Sequence, residues 1–335
     1  MNMRLLGRTG LTVSPLMLGT MEFGSRVDAA EAGRVFDAAI DAGINVVDTA
    51  NVYAGGRSEE IVGRLIASKR DRLLLATKFS VPVDEQDPNS GGTSRRVVIA
   101  ACEASLRRLG TDHIDLYYIH RPSTQTAIDE TLRALDDLVR AGKIRSIGTS
   151  GFAGWQVLEA LWCASDLKLN RPVVEQTAYH LLDRRAEREL IPAARTHGTA
   201  LTVWSPLAGG LLTGKYLPGA SSTDQRLSRT DDWGAKHFTP AADATVAALA
   251  SCAQQAGIPL LALSLAWTLQ RPGVTSLVIG PRTVDQLEDQ LASLEASLDA
   301  GLLEEIDRAA PPGGVVVPYY LDDSFADFRP HPHHW

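Results

Sequence analysis

Apolar and polar positions along this chain follow one pattern, repeated. Short runs rich in valine, isoleucine and leucine alternate with longer stretches whose apolar residues recur at helical spacing. Eight runs stand out: Leu16–Leu18, Ile44–Val47, Leu73–Ala76, Leu116–Ile119, Ile144–Ile147, Val173–Val174, Ala200–Val203 and Leu277–Ile279. They are almost continuously apolar, as strands covered on both faces must be. Between them Ile61, Val62, Leu65 and Ile66 share one helical face. So do Ile128, Leu132, Leu135 and Val139, and likewise Val157, Leu158, Leu161 and Trp162. Gly43, Gly110 and Gly142 follow helical stretches, where a left-handed cap favours glycine. Eight β–α alternations imply parallel strands joined by right-handed crossovers, and eight such units close into a (β/α)8 TIM barrel of the α/β class. A doubly wound sheet is the rival, but no run is followed by a GxGxxG turn.

Outside the repeat, Arg4–Val13 reads as an N-terminal β-hairpin around Arg8-Thr9-Gly10, placed to plug the barrel bottom. A long polar loop, Leu217–Thr239, follows the seventh strand, and its length suits a lid or binding segment. Leu261–Leu269 supplies the seventh helix. Pro311–Trp335 reads as an ordered C-terminal tail over the mouth. Nothing marks an internal boundary, so residues 1–335 are expected to form a single barrel domain.

Composition narrows the function classes. The 335 residues suit one barrel with insertions, and 44% hydrophobic with 22% charged residues is ordinary for a folded enzyme. A net charge of −7, with no concentrated basic run, excludes a nucleic-acid partner. No run approaches the ~18 uninterrupted apolar residues of a membrane span, and the N-terminus has no apolar leader core. The expectation is a cytoplasmic protein without a membrane partner. Cys102, Cys163 and Cys252 are far apart in apolar helical stretches, which points to core packing in a reducing compartment. No heptad is left over, so the oligomeric state stays open.

In a barrel of this kind chemistry sits where strands end. The residues that follow the eight runs are Gly19-Thr20, Asp48, Lys78, His120, Ser150, Gln176, Trp204-Ser205 and Gly280. Alone, Asp48 reads as a helix cap, Lys78 as a surface lysine and His120 as a core histidine. Together at successive strand ends, an acid, an amine and an imidazole point to a shared site whose groups perturb one another.

The run Asp48-Thr49-Ala50-Asn51-Val52-Tyr53 makes the pattern specific. Over nearly its full length the chain resembles the aldo-keto reductase superfamily. The matching stretches are GINVVDTANVYAGGRSEEIVG, LLLATKF, DLYYIHRP, KIRSIGTSGF, VVEQTAYHLLDR, WSPLAGGLLTGKY and VIGPRTVDQLEDQ, in family order. The resemblance implies that Asp48, Tyr53, Lys78 and His120 form a catalytic tetrad. A phenol is a weak acid at neutral pH, but a buried ammonium beside it favours the conjugate base, so Tyr53 can give its proton to a carbonyl oxygen. Hydride would come from nicotinamide C4.

The resemblance also implies cofactor contacts. Gly19, Thr20, Met21 and Asp48 lie at the first strand ends. Ser150 and Gln176 would hold the nicotinamide carboxamide, with Trp204 stacked on its ring. Ser205, Leu207, Gly209 and Lys215 would cover the pyrophosphate. Gly280, Arg282, Gln286, Asp289 and Gln290 would take the adenosine phosphate at the start of the eighth helix, where an arginine and a helix N-terminus suit an anion. NADPH is therefore expected, with NADH as the alternative. This chain departs from the family pattern at Gly151, Asp289 and Gln290, where asparagine, glutamate and asparagine are usual. Those changes bear on cofactor preference. Phe23, Tyr53, Trp155, Trp233, Tyr319 and Trp335 are candidate pocket aromatics, Trp155 equally a helix-packing residue, and His331, His333 and His334 make only a weak metal motif.

Three functions are consistent with this reading. The first is NADPH-dependent reduction of aldehydes, ketones or sugar-like carbonyls, with a small-molecule substrate. The second is an NAD-dependent dehydrogenase of a sugar or pyridoxal-like alcohol. The third is a cofactor-binding regulatory subunit similar to the β subunits of voltage-gated potassium channels. Those subunits share the Trp204-Ser205-Pro206-Leu207 stretch but generally lack a histidine where His120 stands.

Overall fold

The computed structural model describes residues 1–84, 86–217, 227 and 236–317. Its strands are β1 (Arg4–Leu5), β2 (Thr12–Val13), β3 (Leu16–Gly19), β4 (Val46–Asp48), β5 (Leu74–Phe79), β6 (Ile114–Ile119), β7 (Ile144–Ser150), β8 (Pro172–Ala178), β9 (Ala200–Trp204) and β10 (Val274–Ile279). The helices are α1 (Ala29–Asp41), α2 (Arg57–Ile66), α3 (Arg95–Leu109), α4 (Ile128–Arg140), α5 (Gly154–Asp166), α6 (Leu190–His197), α7 (Pro240–Gln255), α8 (Leu260–Gln270), α9 (Val284–Ala292) and α10 (Ala300–Ala309). Strands β3 to β10 pair in sequence, all parallel, and β10 closes onto β3. This is the (β/α)8 barrel that the eight apolar runs predict.

Side chains alternate across the barrel wall, so both sets must be apolar. Val46 and Leu116 point inward and join Met17, Ala76, Tyr118, Val174 and Ala200 in the interior cluster. Their neighbours Val47 and Tyr117 belong to the larger layer between strands and helices. Strands β1 and β2 form the predicted antiparallel hairpin. It plugs the barrel: Leu6 and Val13 are fully buried in the interior cluster. Arg4 ties the plug down by donating to the carbonyls of Leu269 (3.0 Å) and Val274 (3.2 Å).

Several strands run further than their apolar runs. The ladders of β5, β7 and β8 continue through Lys78, Ser150 and Gln176, because backbone pairing does not stop where the side chains become polar. Helices α7 and α10 were not marked by a strong apolar stripe. Each starts at a capping side chain, Thr239 accepting from the Ala242 amide and Asp299 from that of Leu302. Helix α8 is the apolar seventh barrel helix, and Gly43, Gly110 and Gly142 all adopt positive φ. Helix α5 departs from expectation: Val157 and Leu161 are buried, whereas Leu158 and Trp162 face solvent. Among the described residues no single helix is long and apolar enough to cross a membrane. Most of the loop after β9 and of the C-terminal tail, with Trp233, Tyr319, His331, His333, His334 and Trp335, lies outside the described residues.

Candidate functional site

The site begins with an inward-pointing lysine. Alternation along β5 turns Ala76 and Lys78 into the barrel, where Lys78 is almost fully buried. Its ammonium finds three acceptors: Asp48 Oδ1 at 2.5 Å, the Thr49 carbonyl at 2.8 Å and the Tyr53 hydroxyl at 3.4 Å. An ammonium has three donors, so all are engaged. The other Asp48 oxygen accepts from Gln176 Nε2 at 2.8 Å. Burial alone pushes the Lys78 ammonium down, but the charges and hydrogen bonds of Asp48 and Tyr53 outweigh it, and the net direction is up. Lys78 is therefore charged throughout the neutral range.

Tyr53 opens the turn between β4 and α2, half-buried at the mouth, with the Lys78 ammonium 5.0 Å from its ring centre. His120 follows β6 directly, its amide donating to the Phe79 carbonyl at 2.8 Å. The two rings meet edge to face, 5.8 Å between centres at 82°. Burial, then the positive charges of Lys78 and Arg121, hold the imidazole well below its ordinary pKa. It is neutral at physiological pH, and among the described residues its buried Nδ1 has no partner. A neutral imidazole can orient an oxygen by hydrogen bonding but has no imidazolium proton to give.

These groups open into a cleft of about 1040 Å³ at the C-terminal ends of the strands. Asp48, Tyr53 and His120 line it, with Lys78 directly behind. Gly19, Thr20 and Met21 form one wall. Ser150, Gln176 and Trp204 follow at the next strand ends. The loop after β9 contributes Ser205, Leu207, Gly209 and Lys215, and the start of α9 contributes Gly280, Arg282, Gln286, Asp289 and Gln290. At that helix start Thr283 accepts from the Gln286 amide at 3.2 Å, while the Gln286 side chain accepts from the Arg282 amide at 2.9 Å. Every residue read from the sequence as a cofactor contact borders this one cleft.

A family model described as the aldo/keto reductase family matches residues 15–311. The chain belongs to the aldo/keto reductase family. It is 40% identical over 328 residues to an uncharacterized oxidoreductase, YrpG, of Bacillus subtilis, covering 94% of this chain and 98% of that one. It is also 35% identical over 297 residues to a probable voltage-gated potassium channel subunit beta of Arabidopsis thaliana, and 36% identical to one of Oryza sativa. Each of those matches covers 87% of this chain and 90% of the relative. This aldo/keto reductase is an NAD(P)-dependent oxidoreductase.

A nicotinamide dinucleotide fits the cleft on two observations. A Cβ added to Gly280 would meet nothing within 4 Å, so backbone is open to a close-lying group there. Gln290 Oε1 is a buried acceptor in the wall with no partner among the described residues, suited to a donor on the bound group. Two pocket assignments need correction. Phe23 is 1% exposed within the apolar core and does not border the cleft, because its turn folds back through the pairing of Phe23 with Val27. Trp155 lies in the first turn of α5, 44% exposed and away from the cleft. Arg121, Val81, His237 and Glu295 border the cleft but were not picked out from the sequence. Arg121 had a signal, since it directly follows a strand-end histidine. His237 and Glu295 lie in connecting segments that carry no periodicity.

Proposed function

We propose that this protein reduces aldehydes, ketones or sugar-like carbonyls to alcohols with NADPH, Tyr53 supplying the proton. The observation that carries the reading is the buried Lys78 ammonium, fixed by Asp48 and reaching the Tyr53 hydroxyl where it faces the cleft. When bound, the reduced nicotinamide supplies the hydride. The chain's residues do the rest. Tyr53 gives its hydroxyl proton to the carbonyl oxygen as charge develops there. The ammonium of Lys78 stabilises the phenolate left behind, and Asp48 keeps that ammonium in place. His120, neutral, donates a hydrogen bond that orients the same oxygen, which leaves Tyr53 as the acid. Ser150 and Gln176 would hold the carboxamide, Trp204 the ring, and Lys215 and Arg282 the phosphates. Arg282 beside the α9 N-terminus favours NADPH over NADH.

Titration of Trp204 fluorescence with NADPH and NADH, followed by turnover with a panel of aldehydes, ketones and sugars, tests this. Tighter NADPH binding with carbonyl-dependent oxidation supports it. Turnover from alcohol and oxidised cofactor alone would replace it with the dehydrogenase. A regulatory role is favoured by the plant relatives named as channel subunits; stable association with a membrane channel, together with negligible turnover, would establish that reading instead.

A further inference from the structure

Tyr53 is followed by three consecutive residues in the left-handed region: Ala54 (φ 51), Gly55 (φ 65) and Gly56 (φ 92). Such a turn persists only where its surroundings determine it, the more so with alanine at the first position. The surroundings are the first turn of α2. Ser58 Oγ donates to the Thr20 carbonyl at 2.8 Å and lies 2.9 Å from the hydroxyls of both Thr20 and Thr49. Glu59 is fully buried and accepts from Thr77, the residue before Lys78, at 2.6 Å. Its other oxygen takes both Nε (2.7 Å) and Nη2 (2.6 Å) of Arg108, near the end of α3.

The same arginine lies along the turn itself. A Cβ on Gly56 would come within 3.0 Å of Arg108 Cδ and 3.1 Å of its Nε. Two turns further on, Gly63 lets the helix rest directly on the α3 terminus, since a Cβ there would be 2.6 Å from the Leu109 carbonyl. Arg108 therefore touches the last residue of the turn and the carboxylate that anchors the helix after it. It does not border the cleft and reaches no reacting group.

We propose that Arg108 is a positioning residue for Tyr53: through Glu59 and its contact with Gly56 it fixes the Ala54–Gly56 turn and thereby the reach of the phenol to Lys78. This rests on Tyr53 being the proton donor of the reading above. That reach is 3.4 Å, at the far edge of hydrogen-bond range, so it has no slack. A displacement of about 1 Å in such a site costs on the order of 10²-fold in rate.

The test compares wild type with Arg108→Ala, Arg108→Lys and the double variant Glu59→Gln/Arg108→Met, which removes both charges without leaving one buried alone. The measurements are NADPH binding by Trp204 fluorescence, kcat and KM for nitrobenzaldehyde, and amide hydrogen exchange over residues 53–57. The expected result is a fall in kcat of about 10- to 100-fold for Arg108→Ala and the double variant, with KM and NADPH Kd within about twofold. Arg108→Lys recovers most of kcat, and exchange at the turn accelerates in the variants that lose kcat. A merely structural role would instead lower kcat and cofactor affinity together, or leave kcat intact in folded protein; either outcome overturns the proposal. Unchanged exchange at residues 53–57 overturns it as well, whether or not turnover is measurable. Wild type that reduces no carbonyl contradicts the reductase reading separately, and the exchange measurement then decides the clamp on its own.

Discussion

Lys78 carries a full charge in a nearly dry interior, and its stability depends on Asp48 being there. Removing one partner of such a pair strands the other, at a cost of ~3–5 kcal/mol. Lys78→Met is expected to lower stability by about that much in urea unfolding, because among the described residues Asp48 keeps only Gln176 as a side-chain donor. Glu175 poses a different case. It sits fully buried beside Gln176 on β8 and accepts from the Phe152 amide at 3.1 Å. Burial pushes its carboxyl up to about 8 from an ordinary 4.5. The folded chain then holds this proton more tightly than the unfolded chain does. Its charging penalty begins above 4.5 and grows until about 8, so stability falls as pH rises through that window. Glu175→Gln is expected to flatten that fall. Urea midpoints of both proteins at about pH 5 and about pH 8 check it, and equal slopes would contradict it.

Elements were legible where burial on two faces forces continuous apolar runs. All eight barrel strands announce themselves in this way, and the hairpin does so through Arg8-Thr9-Gly10 between two short apolar pairs. The hairpin's worth lies in Leu6. Leu6→Ala is expected to cost ~2–5 kcal/mol in unfolding while NADPH affinity is kept, since the cavity opens at the far end of the barrel from the cleft. Loss of cofactor binding in folded Leu6→Ala would contradict that separation. Other elements were less legible. Helix α7 is alanine-rich with a weak stripe, so its start is written only in Thr239 and Pro240. Helix α5 presents Leu158 and Trp162 to solvent, which periodicity alone reads as a core face. The Glu59–Arg108 pair joins two helices through charge, and spacing along a single helix carries no trace of it. The strand-end residues were legible because each interrupts an apolar run, whereas Phe23 and Trp155 were misplaced because aromatic character says nothing of direction.

At the scale of the whole molecule, the barrel gathers residues from all eight strand ends into one cleft, and its lining brings Arg121, Lys215 and Arg282 to where an anionic cofactor would lie. The lining also holds Asp289 and Glu295, so the proposed preference for NADPH requires Arg282 to outweigh them locally. Arg282→Ala is expected to weaken NADPH binding by about tenfold and NADH binding far less, as measured by Trp204 quenching. Equal weakening of both would remove Arg282 from the phosphate role. The proposed reaction turns on Tyr53 delivering the proton in a nicotinamide-dependent carbonyl reduction. The most direct test follows the loss of reduced-nicotinamide absorbance on adding an aldehyde, for wild type and Tyr53→Phe, with NADPH binding measured on both. Wild type is expected to turn over, and Tyr53→Phe to lose about 10³-fold in rate with cofactor affinity unchanged. Retained turnover in Tyr53→Phe would contradict it.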